Sequence, residues 1–188
     1  NILHPLGLSI LQLEPIWIRL ESHNYKTWES KHLEEIYITY EEANRNHPLD
    51  GLILTGAPVE TISFEEVHYW EEISLILNNA RQTIPSTLGL CWAAFVMAYL
   101  EGINKFNYNK KLFGVFELKN LAPDHPIIGE LDDIFLCPQS RHAGIPDDAM
   151  EEAEKDGKIK LLAYGDEAGY SIFSTSDERF LAHTGHPE

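Results

Sequence analysis

Apolar positions along the chain fall into runs whose spacing switches between period two and helical period, and that switching predicts an α/β fold. Leu8 to Leu13 and Pro15 to Leu20 are apolar, β-branched stretches that read as two buried strands. Asp50 to Thr55 (DGLILT) is a near-continuous apolar run ending in Gly56-Ala57-Pro58, the pattern of a central parallel strand that opens into a tight loop. A helix is predicted from Ser63, because Ser63-Phe64-Glu65-Glu66 matches a capping box and Val67, Trp70, Ile73, Leu77 and Ala80 recur at helical spacing. Ser86 to Cys91 (STLGLC) reads as the next strand, and Trp92 to Leu100 as an apolar helix closed by Gly102. Further strands are expected over Leu112 to Leu118, over Ile134 to Leu136 and around Leu161, Ile172 and Leu181, with a polar helix over Asp147 to Lys155. These elements make a mainly parallel central sheet flanked by helices, in a single domain covering 1-188 without repeats or a linker.

A chain of 188 residues buries roughly 70% of the surface that its unfolded form exposes, so one core needs no staples. The formal net charge of -16 repels a phosphate backbone, which sets nucleic acid aside as a partner. A phosphate-bearing coenzyme would have to rely on a few placed groups, and Lys105, Lys110 and Lys111 are the only dense local candidates. Two cysteines are too few for a disulfide framework, and no apolar run is long enough to cross a bilayer. The expected compartment is the reducing cytoplasm, where a thiol stays free for chemistry.

Ligands of open α/β sheets bind beyond the carboxyl ends of the strands, and Cys91 stands at such a strand-to-helix turn. There the helix dipole and nearby amides favour a thiolate, and the arrangement matches a nucleophile elbow with Gly89 two residues before the thiol and Ala93 two after it. The pattern leaves a catalytic thiol and a small buried hydrophobe about evenly matched. Cys137 lies in Phe135-Leu136-Cys137-Pro138, where Pro138 has no amide to offer an oxyanion, and is assigned to packing. Of the nine histidines, His142, His183 and His186 merit weighing. His186 directly follows the strand Arg179 to Ala182, and Glu188 two residues on is suited to orient its imidazole. No spacing typical of zinc ligands accompanies these residues, so no metal is expected.

Several segments, in order, resemble the homoserine O-acyltransferases of methionine biosynthesis. They are Asp50-Gly51-Leu52-Ile53-Leu54-Thr55-Gly56-Ala57-Pro58-Val59-Glu60, Tyr69-Trp70, Ser86-Thr87, Cys91-Trp92, Gly114-Val115-Phe116-Glu117, Asp132-Asp133, Ser140-Arg141-His142 and Gly185-His186-Pro187-Glu188. The resemblance covers most of the chain from Leu8 onward. It implies a class I glutamine amidotransferase-like (flavodoxin-like) fold and acyl transfer from coenzyme A through an acyl-cysteine. Carried over, Cys91 is the nucleophile, His186 the base and Glu188 its partner, while the Trp92 amide serves the oxyanion hole. Arg141 and Ser140 match residues that meet the amino-acid substrate. Glu60 matches a position where acetyl-using members carry Glu, and a carboxylate there would repel succinyl's own carboxylate. The implied reaction is transfer of acetyl from acetyl-CoA, a co-substrate rather than a bound cofactor, to the hydroxyl of homoserine, in a homodimer.

Three departures qualify this. Leu13 runs straight into Glu14 where the family has a turn, a helix and a lysine, so a segment between 13 and 14 is expected to be absent, and a continuation beyond Glu188 is expected as well. Leu118 follows Phe116-Glu117 where homoserine enzymes usually carry histidine, which keeps serine open as the acceptor and cysteine biosynthesis as the pathway. Succinyl-CoA stays open as donor, and a glutamine amidotransferase-like hydrolase or a non-catalytic binding module are the readings of a different class.

Overall fold

The computed structural model describes residues 2–25, 35–46 and 48–187. Seven strands form one mixed sheet: β1 (Gly51–Leu54), β2 (Ser86–Leu90), β3 (Phe106–Asn120), β4 (Ile134–Gly144), β5 (Ile159–Gly165), β6 (Gly169–Thr175) and β7 (Phe180–His183), in the order β1-β2-β7-β6-β5-β3-β4. The β1–β2 and β2–β7 ladders are parallel, and the other four are antiparallel. The α/β class holds, with a sheet that is mixed rather than mainly parallel. Helices among the described residues are α1 (Leu3–Leu6), α2 (Tyr40–Asn46), α3 (Trp70–Thr83), α4 (Trp92–Leu100) and α5 (Asp147–Lys155). None is long and apolar enough to cross a membrane.

Helix α3 lays Ile73, Ile76, Leu77 and Ala80 inward and leaves Leu75 in solvent, as its period predicts. Each of the isoleucine and leucine side chains contributes about 1.5–3 kcal/mol when fully buried. In α4 every residue from Trp92 to Ala98 is buried, so this helix is packed on all sides and its start is fixed in space. Gly89 lets it approach: a Cβ there would lie 2.7 Å from Met97 Sδ and 3.2 Å from the Ala93 backbone.

Several expectations are corrected. Leu8 to Leu13 forms turns and bends rather than a strand, and Leu8, Ile10 and Leu11 are exposed. In Pro15 to Leu20 only Ile18 pairs among the described residues, in one parallel bridge to Ile38. Apolar and β-branched residues favour a pleated surface, but a strand exists only where a neighbouring backbone completes its ladder. The capping box at Ser63 is present, yet it closes one short turn, Phe64–Glu66. Val67 is extended, so the long helix starts only at Trp70.

Strands β3 and β4 are far longer than their apolar cores suggest, and Ser140-Arg141-His142 lies inside β4. Pro138 is accommodated because β4 is the last strand in the sheet order, where a missing N–H costs no ladder bond.

Candidate active site

Cys91 joins β2 to α4 with φ 54° and ψ -114°, a conformation that costs a non-glycine residue about 1–3 kcal/mol. Two contacts hold it there. Its N–H donates to His183 O at 2.8 Å, and its carbonyl accepts the Ala94 N–H at 3.0 Å. The turn points the thiol away from the strand axis at the N-terminus of α4, whose first amides have no carbonyl within the helix to bond. Cys91 is buried, 8% exposed.

The loop after β1 closes over this thiol. A Cβ on Gly56 would lie 2.9 Å from Cys91 Cβ, 3.2 Å from its Sγ and 3.6 Å from the Trp92 N. Only a glycine lets that backbone abut Cys91, and the sequence reading missed this role. The available signal was Gly56-Ala57-Pro58 directly after an apolar strand.

Parallel pairing of β2 with β7 matches Leu90 to His183, so the chain leaving β7 passes beside Cys91. Thr184 N donates to Ser171 O at 2.9 Å and His186 N to Pro138 O at 3.0 Å. Gly185 is wedged between: a Cβ would meet Pro138 O at 2.6 Å, Cys137 Sγ at 2.7 Å and Gln139 Nε2 at 2.9 Å. His186 is half-buried at the end of this loop, and Glu188 lies outside the described residues.

Arg141 is 1% exposed, inside the molecule. Its Nε donates to Gln139 Oε1 at 2.9 Å, Nη1 to Tyr108 Oη at 2.9 Å and Ala143 O at 2.6 Å, and Nη2 to Ala168 O at 2.5 Å. The guanidinium lies 5.9 Å from the Phe95 ring centroid, on the helix that Cys91 caps. Burial lowers its pKa, and Tyr108, Cys91 and Cys137 oppose that shift, so Arg141 is a buried cation close enough to feel charge on Cys91. Ser140 is half-buried beside it, paired across the ladder with Phe113. Glu60 Oε1 accepts the His142 N–H at 3.4 Å and ties the β1 loop to β4. Lys105 stands near Glu60 and Glu65, and burial lowers its pKa against the pull of both carboxylates. A polar cleft lined by Thr61, Ser63, Asn104, Lys105 and Asn107 opens there. Cys137 is buried in β4, where burial pushes its thiol up to about 11.

The fold thus gathers Cys91, Trp92, Arg141 and the loop of His186 around the carboxyl ends of β2 and β7, with Glu60 on the β1 loop. The homoserine O-succinyltransferase family model matches residues 1–188. The chain belongs to this family. Relatives in it include proteins named homoserine O-acetyltransferase, 37% identical from Petrotoga mobilis and 36% from Bacillus subtilis, each matched over 100% of this chain. The chain spans 60% and 62% of the length of these two relatives. Solved structures of the same fold are a glutamine amidotransferase from Thermotoga maritima (TM-score 0.60, 14% identity, 83% of this chain and 67% of that one) and the glutaminase domain of Trypanosoma brucei CTPS with bound acivicin (TM-score 0.58, 12%, 73% and 63%). At such identities they speak for the fold alone.

Proposed function

We propose that the protein is a homoserine O-acyltransferase that carries an acetyl group from acetyl-CoA to the homoserine hydroxyl through an acyl-cysteine on Cys91. One observation carries this reading: a buried cysteine in a strained turn, at the start of a buried helix, with the Gly56 backbone against its sulfur. Packing alone gives no reason to hold such a turn, whereas a nucleophile under attack geometry does. The names of the relatives support homoserine as acceptor and acetyl as the group moved.

In the first half-reaction Cys91 Sγ attacks the thioester carbonyl, a sulfur–carbon bond forms, and coenzyme A leaves with its electron pair and takes up a proton. The developing oxyanion faces the amide of Trp92 and the backbone near Gly56. In the second, the homoserine oxygen attacks the acyl carbonyl while His186 accepts its proton, and the Cys91 thiolate is released. Glu188 is the proposed partner of that imidazole. Glu60 is the proposed discriminator against succinyl-CoA, held to β4 through the His142 amide. Arg141 acts as a buried positive charge near Cys91, and Ser140 beside it is the group proposed to meet the amino acid.

Intact-mass spectrometry of the full-length protein with acetyl-CoA or succinyl-CoA, followed by homoserine or serine, tests all of this. The expected result is one acetyl adduct on Cys91 that homoserine discharges. No adduct and no released coenzyme A with either donor would overturn the reading.

A further inference from the structure

We propose that His183 is a positioning residue for this acyl transfer: with the buried Cys137 and Gln139 this half-buried side chain forms a brace that sets the spacing between the nucleophile and the loop of the base. The proposal rests on the roles of Cys91 and His186 given above.

Residue 183 bonds Cys91 and the residue before His186. Its carbonyl accepts the Cys91 N–H at 2.8 Å, and its ring Nδ1 accepts the Gly185 N–H at 3.0 Å, next to His186. A backbone N–H is always a donor, so Nδ1 carries no proton and the neutral ring keeps its hydrogen on Nε2. That Nε2 faces Cys137 Sγ at 3.8 Å. Gln139 Nε2 donates to the same sulfur at 3.4 Å, and its Oε1 accepts from Arg141. The Cys137 thiol donates in turn to Pro138 O at 3.6 Å, the carbonyl that also receives the His186 N–H. Burial keeps that thiol protonated at neutral pH, which this direction of donation requires.

Every donor in the set meets an acceptor, and the set ends on the amides either side of the Gly185 peptide. Stability alone does not call for it, since apolar groups of the same shape would replace such a network at little cost. What the polar set adds is direction. Gly185 has no space to shift toward β4, so the loop of His186 is held from the ring side by His183 and from the strand side by Pro138.

The test compares full-length wild type with His183→Leu and His183→Asn. Leu keeps the backbone carbonyl and removes the ring acceptor, while Asn offers Oδ1 where Nδ1 stood. Misplacing a base by about 1 Å costs on the order of 100-fold, so kcat of the Leu variant should fall by that order with KM for homoserine little changed. The acid limb of its kcat/KM profile should move, and Asn should recover most of both. A Leu variant with wild-type kcat and pH profile overturns the brace, as does an Asn variant no better than Leu. If the Leu variant does not fold, Gln139→Met carries the test, and a folded Gln139→Met with unchanged kcat and pH profile overturns the proposal equally. A wild type that takes no acyl group on Cys91 sinks the functional reading beneath it, whereas an acylated wild type beside an unimpaired Leu variant sinks the brace alone.

Discussion

Cys91 and Cys137 are both buried, both sit in apolar strand sequence, and both lie near the buried guanidinium of Arg141. Their backbones differ. Cys91 ends its strand in a strained turn with a helix N-terminus ahead of it and a glycine backbone against its sulfur. Cys137 continues an extended strand opposite Phe116, and its sulfur is taken up by Gln139 and His183. Cys91 stands at a helix N-terminus, a position where oriented amides and the helix dipole act on a thiol, while desolvation raises the Cys137 thiol. The residue type is the same, so the chemistry is decided by what the main chain does immediately after it.

The largest test of that contrast is Cys91→Ala. It should eliminate the acyl adduct and lower transfer by at least on the order of 1000-fold, read by intact mass and by coenzyme A release. An adduct that persists in this variant and vanishes in Cys137→Ser would reverse the two roles. Next in size is Gly56→Ala, whose new methyl would lie 2.9 Å from Cys91 Cβ and 3.2 Å from its sulfur. Cys91 must move, and an expected kcat loss on the order of 100-fold with the fold retained would sharpen the claim that this backbone shapes the site. Unchanged turnover would break it.

Much of this was legible in the sequence wherever the signal was local. The apolar strand and helix around Cys91, the polar helix after Pro146 and the strands near Leu161, Ile172 and Leu181 follow from periodicity and end signals within a few residues. Where the outcome depended on a distant partner, it was not legible. Leu8 to Leu13 has strand composition but no ladder partner among the described residues, whereas Asn107 to Lys111 has little strand character and lies in β3. Gly56 reads as a turn residue until the fold brings it against Cys91. Arg141, in the polar triplet Ser140-Arg141-His142, faces inward because Gln139, Tyr108 and two carbonyls satisfy its guanidinium. A buried arginine is allowed only with such partners, and those lie on three separate stretches of chain.

The smallest expected effect concerns the other side of the contrast, Cys137→Ser. Serine keeps a donor and an acceptor for Pro138, Gln139 and His183, so turnover near neutral pH should stay within about twofold. Its effect belongs to alkaline pH. The folded Cys137 thiol is raised from an ordinary value of 9.0 to about 11. Below pH 9 both folded and unfolded chains keep the proton, and stability does not depend on this group. Between the two values the unfolded chain releases a proton that the folded chain retains, so stability falls as pH rises, by about 2–3 kcal/mol in all. Urea unfolding across that window should show this slope in the wild type and lose it in Cys137→Ser. Tyr170, which burial and then Glu151 raise to about 12, adds its own slope to both proteins and drops out of the difference. Equal slopes in the two would mean that the folded chain lets Cys137 ionise as readily as the unfolded one, and the contrast with Cys91 would then rest on the turn alone.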